Sequence, residues 1–208
     1  MKINEIFYSI QGEGKLSGIP TIFIRVSGCN LRCSYCDTQY AYDNGTEMDI
    51  NNIINEIKKY HCNNVCLTGG EPLLYSNIKE LITKLINNKY KVSIETNGSI
   101  NIIPILKTNI LISLDIKCPS SKMDGKMILE NLTLLKKKDQ LKFIIKNKQD
   151  YDYAKKIIET KKLNCDVFFQ PVWGFNPKII AEWILKDGLN VKLGLQIHKI
   201  IWGEKRRT

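Results

Sequence analysis

The chain has 208 residues, 43% of them hydrophobic and 25% charged, a balance that fits a globular fold and excludes a disordered, collagen-like or coiled-coil chain. Lysine plus arginine is 31 and aspartate plus glutamate is 21, a net charge of +10. The excess is almost all lysine, and the arginines are only Arg25, Arg32, Arg206 and Arg207, so charge alone argues weakly for nucleic acid, whose phosphates favour the arginine fork. No stretch approaches the roughly 18–20 consecutive apolar residues of a membrane helix, and the start MKINEIFYSIQGEG lacks an apolar signal core. A cytoplasmic protein, with no membrane contact and no direct nucleic-acid binding, is expected.

In chain order, residues 2–9 read as a leading strand at one edge of a sheet. Residues 19–26 (IPTIFIRV) are rich in β-branched side chains and predict a buried strand. Asp49 opens a helix over 49–60 as its N-cap, with Ile50, Ile53, Ile54 and Ile57 at helical spacing. A strand follows at 64–68, and a helix at 76–88 carries Ile78, Leu81, Ile82, Leu85 and Ile86 on one face. Strands are predicted at 91–96, 110–116, 141–145, 166–170 and 191–197, and helices at 126–137, 151–161 and 177–186. Residues 104–107 make a short helix at most.

Strand and helix alternate, which predicts βαβ units and a parallel sheet with its working loops at the carboxyl ends of the strands. A closed eight-unit barrel takes about 250 residues. The chain therefore has room for an α/β fold of the incomplete (βα)6 barrel type, helices outside, with an open doubly wound sheet as the alternative. No linker or repeat interrupts it, so residues 1–208 read as a single domain.

Seven cysteines, an odd number without a secretion signal, argue against a disulfide framework. Cys29, Cys33 and Cys36 fall within eight residues, directly after the strand at 19–26. Three closely spaced thiols suit a four-iron cluster with one iron left open. The alternative is zinc, completed by His61, Cys62 or Cys66. Gly69 and Gly70 precede Glu71 and Pro72 in LTGGEP, a strand-to-helix turn, and ETNG (residues 95–98) ends the next strand.

Cys-x3-Cys-x2-Cys after a first strand, GGEP after a second and ETNG after a third together resemble the radical S-adenosylmethionine (SAM) superfamily. The N-terminal segment IFYSIQGEGKLSGIPTIFIRVSGCNLRCSYCDT, with SLDIKCPSSKM and LGLQIHKIIWG, is similar to the 7-carboxy-7-deazaguanine synthases within it. That resemblance implies a [4Fe-4S] cluster on Cys29, Cys33 and Cys36, which are then the catalytic residues. It implies SAM at Tyr35, Cys36, Asp37, Gly70, Asn97, the segment Asp115, Ile116 and Lys117, and Gln170. Many members read Ser-Pro-Lys where this chain has Asp115, Ile116 and Lys117. It implies Mg²⁺ at Thr38 and a pterin at Ile10, Gln11, Gly12, Glu13, Arg25, Thr68 and His198. Glu13 fits such a pterin as an acceptor for its guanidine-like amino edge, and Arg25, alone among apolar neighbours, suits either a substrate carboxylate or an internal ion pair.

The implied reaction converts 6-carboxy-5,6,7,8-tetrahydropterin to 7-carboxy-7-deazaguanine with loss of ammonia, in 7-deazapurine (queuosine-type) biosynthesis. The implied partners are the small-molecule pterin, a one-electron reductant such as flavodoxin and a second copy in a homodimer. Two alternatives are a radical SAM activase acting on a partner protein and a non-catalytic metal protein that binds nucleic acid.

Overall fold

A computed structural model describes residues 1–207. Nine strands form one sheet: β1 (Lys2–Ile10), β2 (Pro20–Val26), β3 (Thr46–Glu47), β4 (Asn64–Gly69), β5 (Lys91–Thr96), β6 (Leu111–Lys117), β7 (Gln140–Ile145), β8 (Asp166–Pro171) and β9 (Lys192–Leu193). Their order is β3-β1-β2-β4-β5-β6-β7-β8-β9. β1 runs antiparallel to both β2 and β3, and every other pairing is parallel. From β2 onward the parallel strands follow chain order without reversal, which favours the incomplete barrel over the doubly wound sheet. The leading strand is one place in from the edge, because the two-residue β3 covers it.

The helices are α1 (Ile50–Ile57), α2 (Ile78–Asn87), α3 (Asn131–Leu134), α4 (Lys148–Thr160), α5 (Pro177–Asp187) and α6 (Ile197–Trp202). Asp49 caps α1 by accepting the Asn52 N–H at 2.8 Å, and Ile50, Ile53, Ile54 and Ile57 are buried as their spacing predicts. α4 starts three residues before the predicted position because Asn147 takes the cap, accepting the Asp150 N–H at 2.9 Å. The crossover through Pro104 is a single 3-10 turn.

Two predicted elements shrink. The helix expected over 126–137 is only the four-residue α3. Buried Asn131 donates to the carbonyls of Gly98 (3.4 Å) and Ile100 (2.8 Å), and Asp139 accepts the N–H groups of Lys136 (2.8 Å) and Ile112 (2.9 Å). These side chains fix a non-helical path on either side of α3. The strand expected over 191–197 is only β9, and Ile197 opens α6 instead, its N–H bonded to the Gly12 carbonyl at 3.0 Å.

Alternation along the strands sorts the sheet into two faces. Ile24, Val26, Leu67, Ile94, Leu114, Ile116, Leu141, Phe143, Ile145 and Phe169 are buried in the core with the apolar stripes of the helices. Arg25, Thr68, Glu95, Asp115, Lys117, Lys142 and Gln170 lie on the other face and line a cavity.

The turn after β4 sets the position of the cysteine loop. The Gly70 N–H donates to the Val26 carbonyl (3.1 Å) and the Glu71 N–H to that of Gly28 (2.8 Å). A Cβ on Gly70 would fall 1.9 Å from the Gly28 carbonyl oxygen, so the two loops touch only because this residue has no side chain. Glu71 is fully buried and accepts from the Leu73 N–H (3.0 Å), the Thr96 hydroxyl (2.8 Å) and the Asn97 N–H (2.7 Å). Burial pushes its carboxyl up to about 7 against the pull of these donors. One residue thus ties the ends of β4 and β5 together through its side chain and joins them to the end of β2 through its backbone N–H. Replacing it by alanine strands three donors, and Glu71→Ala is expected to cost about 2–3 kcal/mol, seen as a melting temperature lower by roughly 5–10 °C. An unchanged melting temperature would contradict the bracket.

Candidate active site

At the carboxyl ends of the parallel strands the polar face opens into a cavity of about 620 Å³. Segments distant in sequence enclose it: the loop after β1, the cysteine loop after β2, the turns after β4 and β5, α6, and the terminal residues Gly203 to Arg207. Every site residue expected from the sequence lies on its wall except Ile116. Ile116 is fully buried in the core, on the opposite side of β6 from Asp115 and Lys117, so its side chain cannot reach a ligand there.

Cys29, Cys33 and Cys36 all face this space as free thiols. Cys29 Sγ accepts the Leu31 N–H at 3.4 Å and the Asn97 side-chain amide at 3.7 Å. Burial pushes the Cys29 and Cys33 thiols up; the Leu31 amide opposes this at Cys29, and the Lys117 ammonium opposes it at Cys33. Among the described residues no three histidine, cysteine, aspartate or glutamate side chains gather closely enough to share one metal ion. Tetrahedral zinc needs such convergence, whereas in a four-iron cluster each thiolate holds a different iron. The donor set therefore fits the cluster. Both side-chain atoms of Gln170 and the Tyr35 hydroxyl are buried on this wall without a partner among the described residues, as suits a wall that meets a polar ligand.

Charged groups cluster on the sheet floor. Lys142, its side chain 3% exposed, places Nζ 2.7 Å from Glu13, 2.8 Å from Glu95 and 3.2 Å from Asp115. Lys117 pairs with Asp115 at 2.8 Å. Ser113 donates to Glu95 at 3.0 Å, and Gln196 donates to Glu13 at 2.8 Å.

A second group lies against β1. Glu5 accepts from Arg25 Nε (2.9 Å), the Tyr40 hydroxyl (3.1 Å), Arg206 (3.2 Å) and Arg207 (3.1 Å). Burial would raise the Glu5 carboxyl, and the arginines with Tyr40 hold it below its ordinary value instead. Of the two sequence-based readings of Arg25, the internal ion pair is the one present, although the side chain also borders the cavity.

α6 closes one side. A Cβ on Gly12 would overlap the His198 ring, so QGEG and α6 pack face to face. Burial holds His198 below its ordinary value. Lys199, next to it, reaches Asp37; crowding pushes that carboxyl up, and the ammonium outweighs it, leaving it at about 2. The Thr38 hydroxyl donates to Asp37 at 3.0 Å.

The sequence reading missed Glu5, Lys142, Lys199 and the terminal arginines. Lys142 carried a usable signal, a lone lysine between apolar residues in QLKFII, and Glu5 a similar one in NEIFYSI. The tail carried none.

The sequence profile of the Radical SAM superfamily matches residues 23–175. A 7-carboxy-7-deazaguanine synthase of Thermoplasma acidophilum is 38% identical over 98% of both chains. One from Methanospirillum hungatei is 42% identical over 97% of this chain and 85% of its own. Among solved structures, Escherichia coli QueE superposes with a TM-score of 0.77 at 22% identity, covering 94% of this chain and 93% of that one. Streptococcus suis SuiB bound to S-adenosylmethionine gives 0.57 at 15% identity over 83% of this chain and 51% of its own. These two likenesses speak to the fold alone. Enzymes of this superfamily work with SAM and a [4Fe-4S] cluster. With its profile match and its near full-length identity to these relatives, the chain belongs to the 7-carboxy-7-deazaguanine synthases, lyases of the radical SAM superfamily.

Proposed function

We propose that this chain converts 6-carboxy-5,6,7,8-tetrahydropterin to 7-carboxy-7-deazaguanine with release of ammonia, in queuosine-type 7-deazapurine biosynthesis. The supporting observation is that the thiol loop, the QGEG loop and α6 share one cavity. In this reading Cys29, Cys33 and Cys36 hold the cluster. Gly70, Asn97, Asp115, Lys117 and Gln170, with Tyr35 and Asp37 from the cysteine loop, hold SAM. Bound together, cluster and SAM supply a carbon-centred radical able to abstract hydrogen.

The chain's own contribution is orientation and exclusion of water. Ile10, Gln11, Gly12 and Glu13, with His198 packed on Gly12, border the pterin, and Thr68 and Arg25 face it from the sheet. Arg25 keeps Nε on Glu5 while its side chain flanks the substrate. His198, kept neutral by burial, can donate from one ring nitrogen and accept at the other. Thr38 offers a hard hydroxyl oxygen for Mg²⁺, which prefers few protein ligands and keeps its waters. The terminal residues from Gly203 to Arg207 line the cavity and limit solvent access.

The same reading has residues 1–208 acting as one domain, in a cytoplasmic homodimer that takes electrons from a reductant such as flavodoxin. Among the described residues no helix is long and apolar enough to cross a membrane. Leu193, Leu195, Ile200, Ile201 and Trp202 are exposed around β9 and α6, an apolar surface that suits a second copy.

Anaerobic reconstitution with iron and sulfide, then SAM, reductant and the tetrahydropterin, should give 7-carboxy-7-deazaguanine and ammonia by mass spectrometry. Cys33→Ala should lose the brown iron–sulfur absorption and at least about 10³-fold of the rate, since ligand loss removes the cofactor's chemistry. Product formation at the wild-type rate without iron would refute the reading. Thr38→Ala should raise the Mg²⁺ concentration for half-maximal rate by about tenfold or more. An unchanged Mg²⁺ titration would remove Thr38 from that role.

A further inference from the structure

The lysine on the cavity floor, Lys142, holds no cofactor and touches no reacting atom in the proposed function. Its surroundings are unusual in charge. Three carboxylates, Glu13, Glu95 and Asp115, lie within 3.2 Å of Lys142 Nζ, and each comes from a different segment: the loop after β1, β5 and β6. Lys117 is committed to Asp115. Two ammonium groups thus face three carboxylates, and the cluster retains one negative charge directed at the cavity.

The oxygens are not equally occupied. Glu95 Oε2 takes both Lys142 (2.8 Å) and Ser113 (3.0 Å), while Glu95 Oε1 has only the Gln11 amide at 3.5 Å, the far limit of a hydrogen bond. Glu13 Oε2 takes Lys142, and Oε1 takes Gln196 at 2.8 Å. Both carboxylates keep acceptor capacity toward the cavity, and their side chains, 18% and 19% exposed, are open on that side. On the same wall the fully buried Gln170 amide, without a partner among the described residues, marks a second unmet demand for a polar ligand.

Without a central cation, three carboxylates this close could not all stay ionised on a dry wall. A protonated carboxyl group presents a donor where an acceptor had been. Burial already pushes the Glu95 carboxyl up with Lys142 present.

We propose that Lys142 is a positioning residue that holds Glu13 and Glu95 together as paired acceptors, and so makes the site select a ring edge of adjacent N–H donors, such as the 2-amino edge of a pterin, over one bearing a carbonyl there. This rests on the proposed reaction for its substrate, and it adds what reads the amino edge. The role is one of selection: Lys142 acts through the two carboxylates rather than on the reacting atoms.

The test is anaerobic titration calorimetry on the reconstituted, SAM-loaded enzyme without reductant, using 6-carboxypterin and 6-carboxylumazine. The second probe replaces the 2-amino group by an oxo group and sets acceptor against acceptor. The wild type should prefer the pterin. In Lys142→Met the preference should fall by about tenfold or more, the worth of one hydrogen bond to a charged group, and Lys142→Arg, which keeps the cation, should retain it. A purely structural role weakens both probes together and leaves their ratio intact, so an unchanged ratio in Lys142→Met overturns the proposal, as does a wild type without preference. If Lys142→Met does not fold, Lys142→Gln is read by the same ratio. Turnover of the tetrahydropterin by the wild type is measured alongside. No turnover refutes the proposed reaction, whereas turnover with an unmoved ratio refutes only the role of Lys142.

Discussion

A mostly parallel sheet whose helices α1 to α5 pack on one face leaves its other face to polar side chains, with only the short α6 folded toward it, and the rest of this molecule answers that constraint. Alternation sends Ile24, Leu67, Ile94, Leu114 and Phe143 to the helices and, beside a small apolar patch of Phe7, Phe23 and Cys66, sends Arg25, Thr68, Glu95, Asp115 and Lys142 to the other face. Groups that polar cannot stay dry unless paired. The charged ones are paired with one another, across strands from Lys142 to carboxylates of three segments and from Arg25 to Glu5, and within β6 from Lys117 to Asp115. The cavity is therefore a polar floor under an opening, and not a gap in the core.

Closure of that opening depends on backbone contacts between segments far apart in the chain. The GGEP turn fastens the cysteine loop through the Val26 and Gly28 carbonyls, with Glu71 fixing the turn from beneath. On the other side, the Gly12 carbonyl takes the first N–H of α6, and His198 lies where a Gly12 side chain would be. Both contacts use a missing Cβ to let two segments touch. The terminal arginines then fold back onto Glu5, and Arg206 stacks on Tyr40 with 3.6 Å between its guanidinium carbon and the ring centroid. Residues from both ends of the chain thus bound one site.

Much of this was legible in the sequence, for reasons that differ by element. α1 and α2 announce themselves because four isoleucine or leucine side chains recur at helical spacing in each. The three thiols and the GGEP turn are legible because their chemistry is local, within a few residues. α3 and β9 were not legible at their true lengths. Their ends are set by Asn131 and Asp139 bonding to remote backbone, and by α6 bonding to Gly12, contacts with no trace in local periodicity. The same reason hides the tail, since GEKRRT carries no sign that Arg206 and Arg207 meet Glu5 some 200 positions earlier. Ile116 was placed in the site by its neighbours, and strand alternation turns it the other way. Lys142 and Glu5 were legible in principle, as single charges in apolar strands, because only a partner can keep such a residue buried.

In the proposed function three thiols of one loop hold a four-iron cluster whose remaining iron is free to take SAM. Mössbauer spectroscopy of the protein reconstituted with ⁵⁷Fe, recorded before and after adding SAM, tests it most directly. One iron in four should change its signal when SAM is added while the other three stay as they were. Four irons that ignore SAM, or a protein that binds zinc in place of iron, would contradict it.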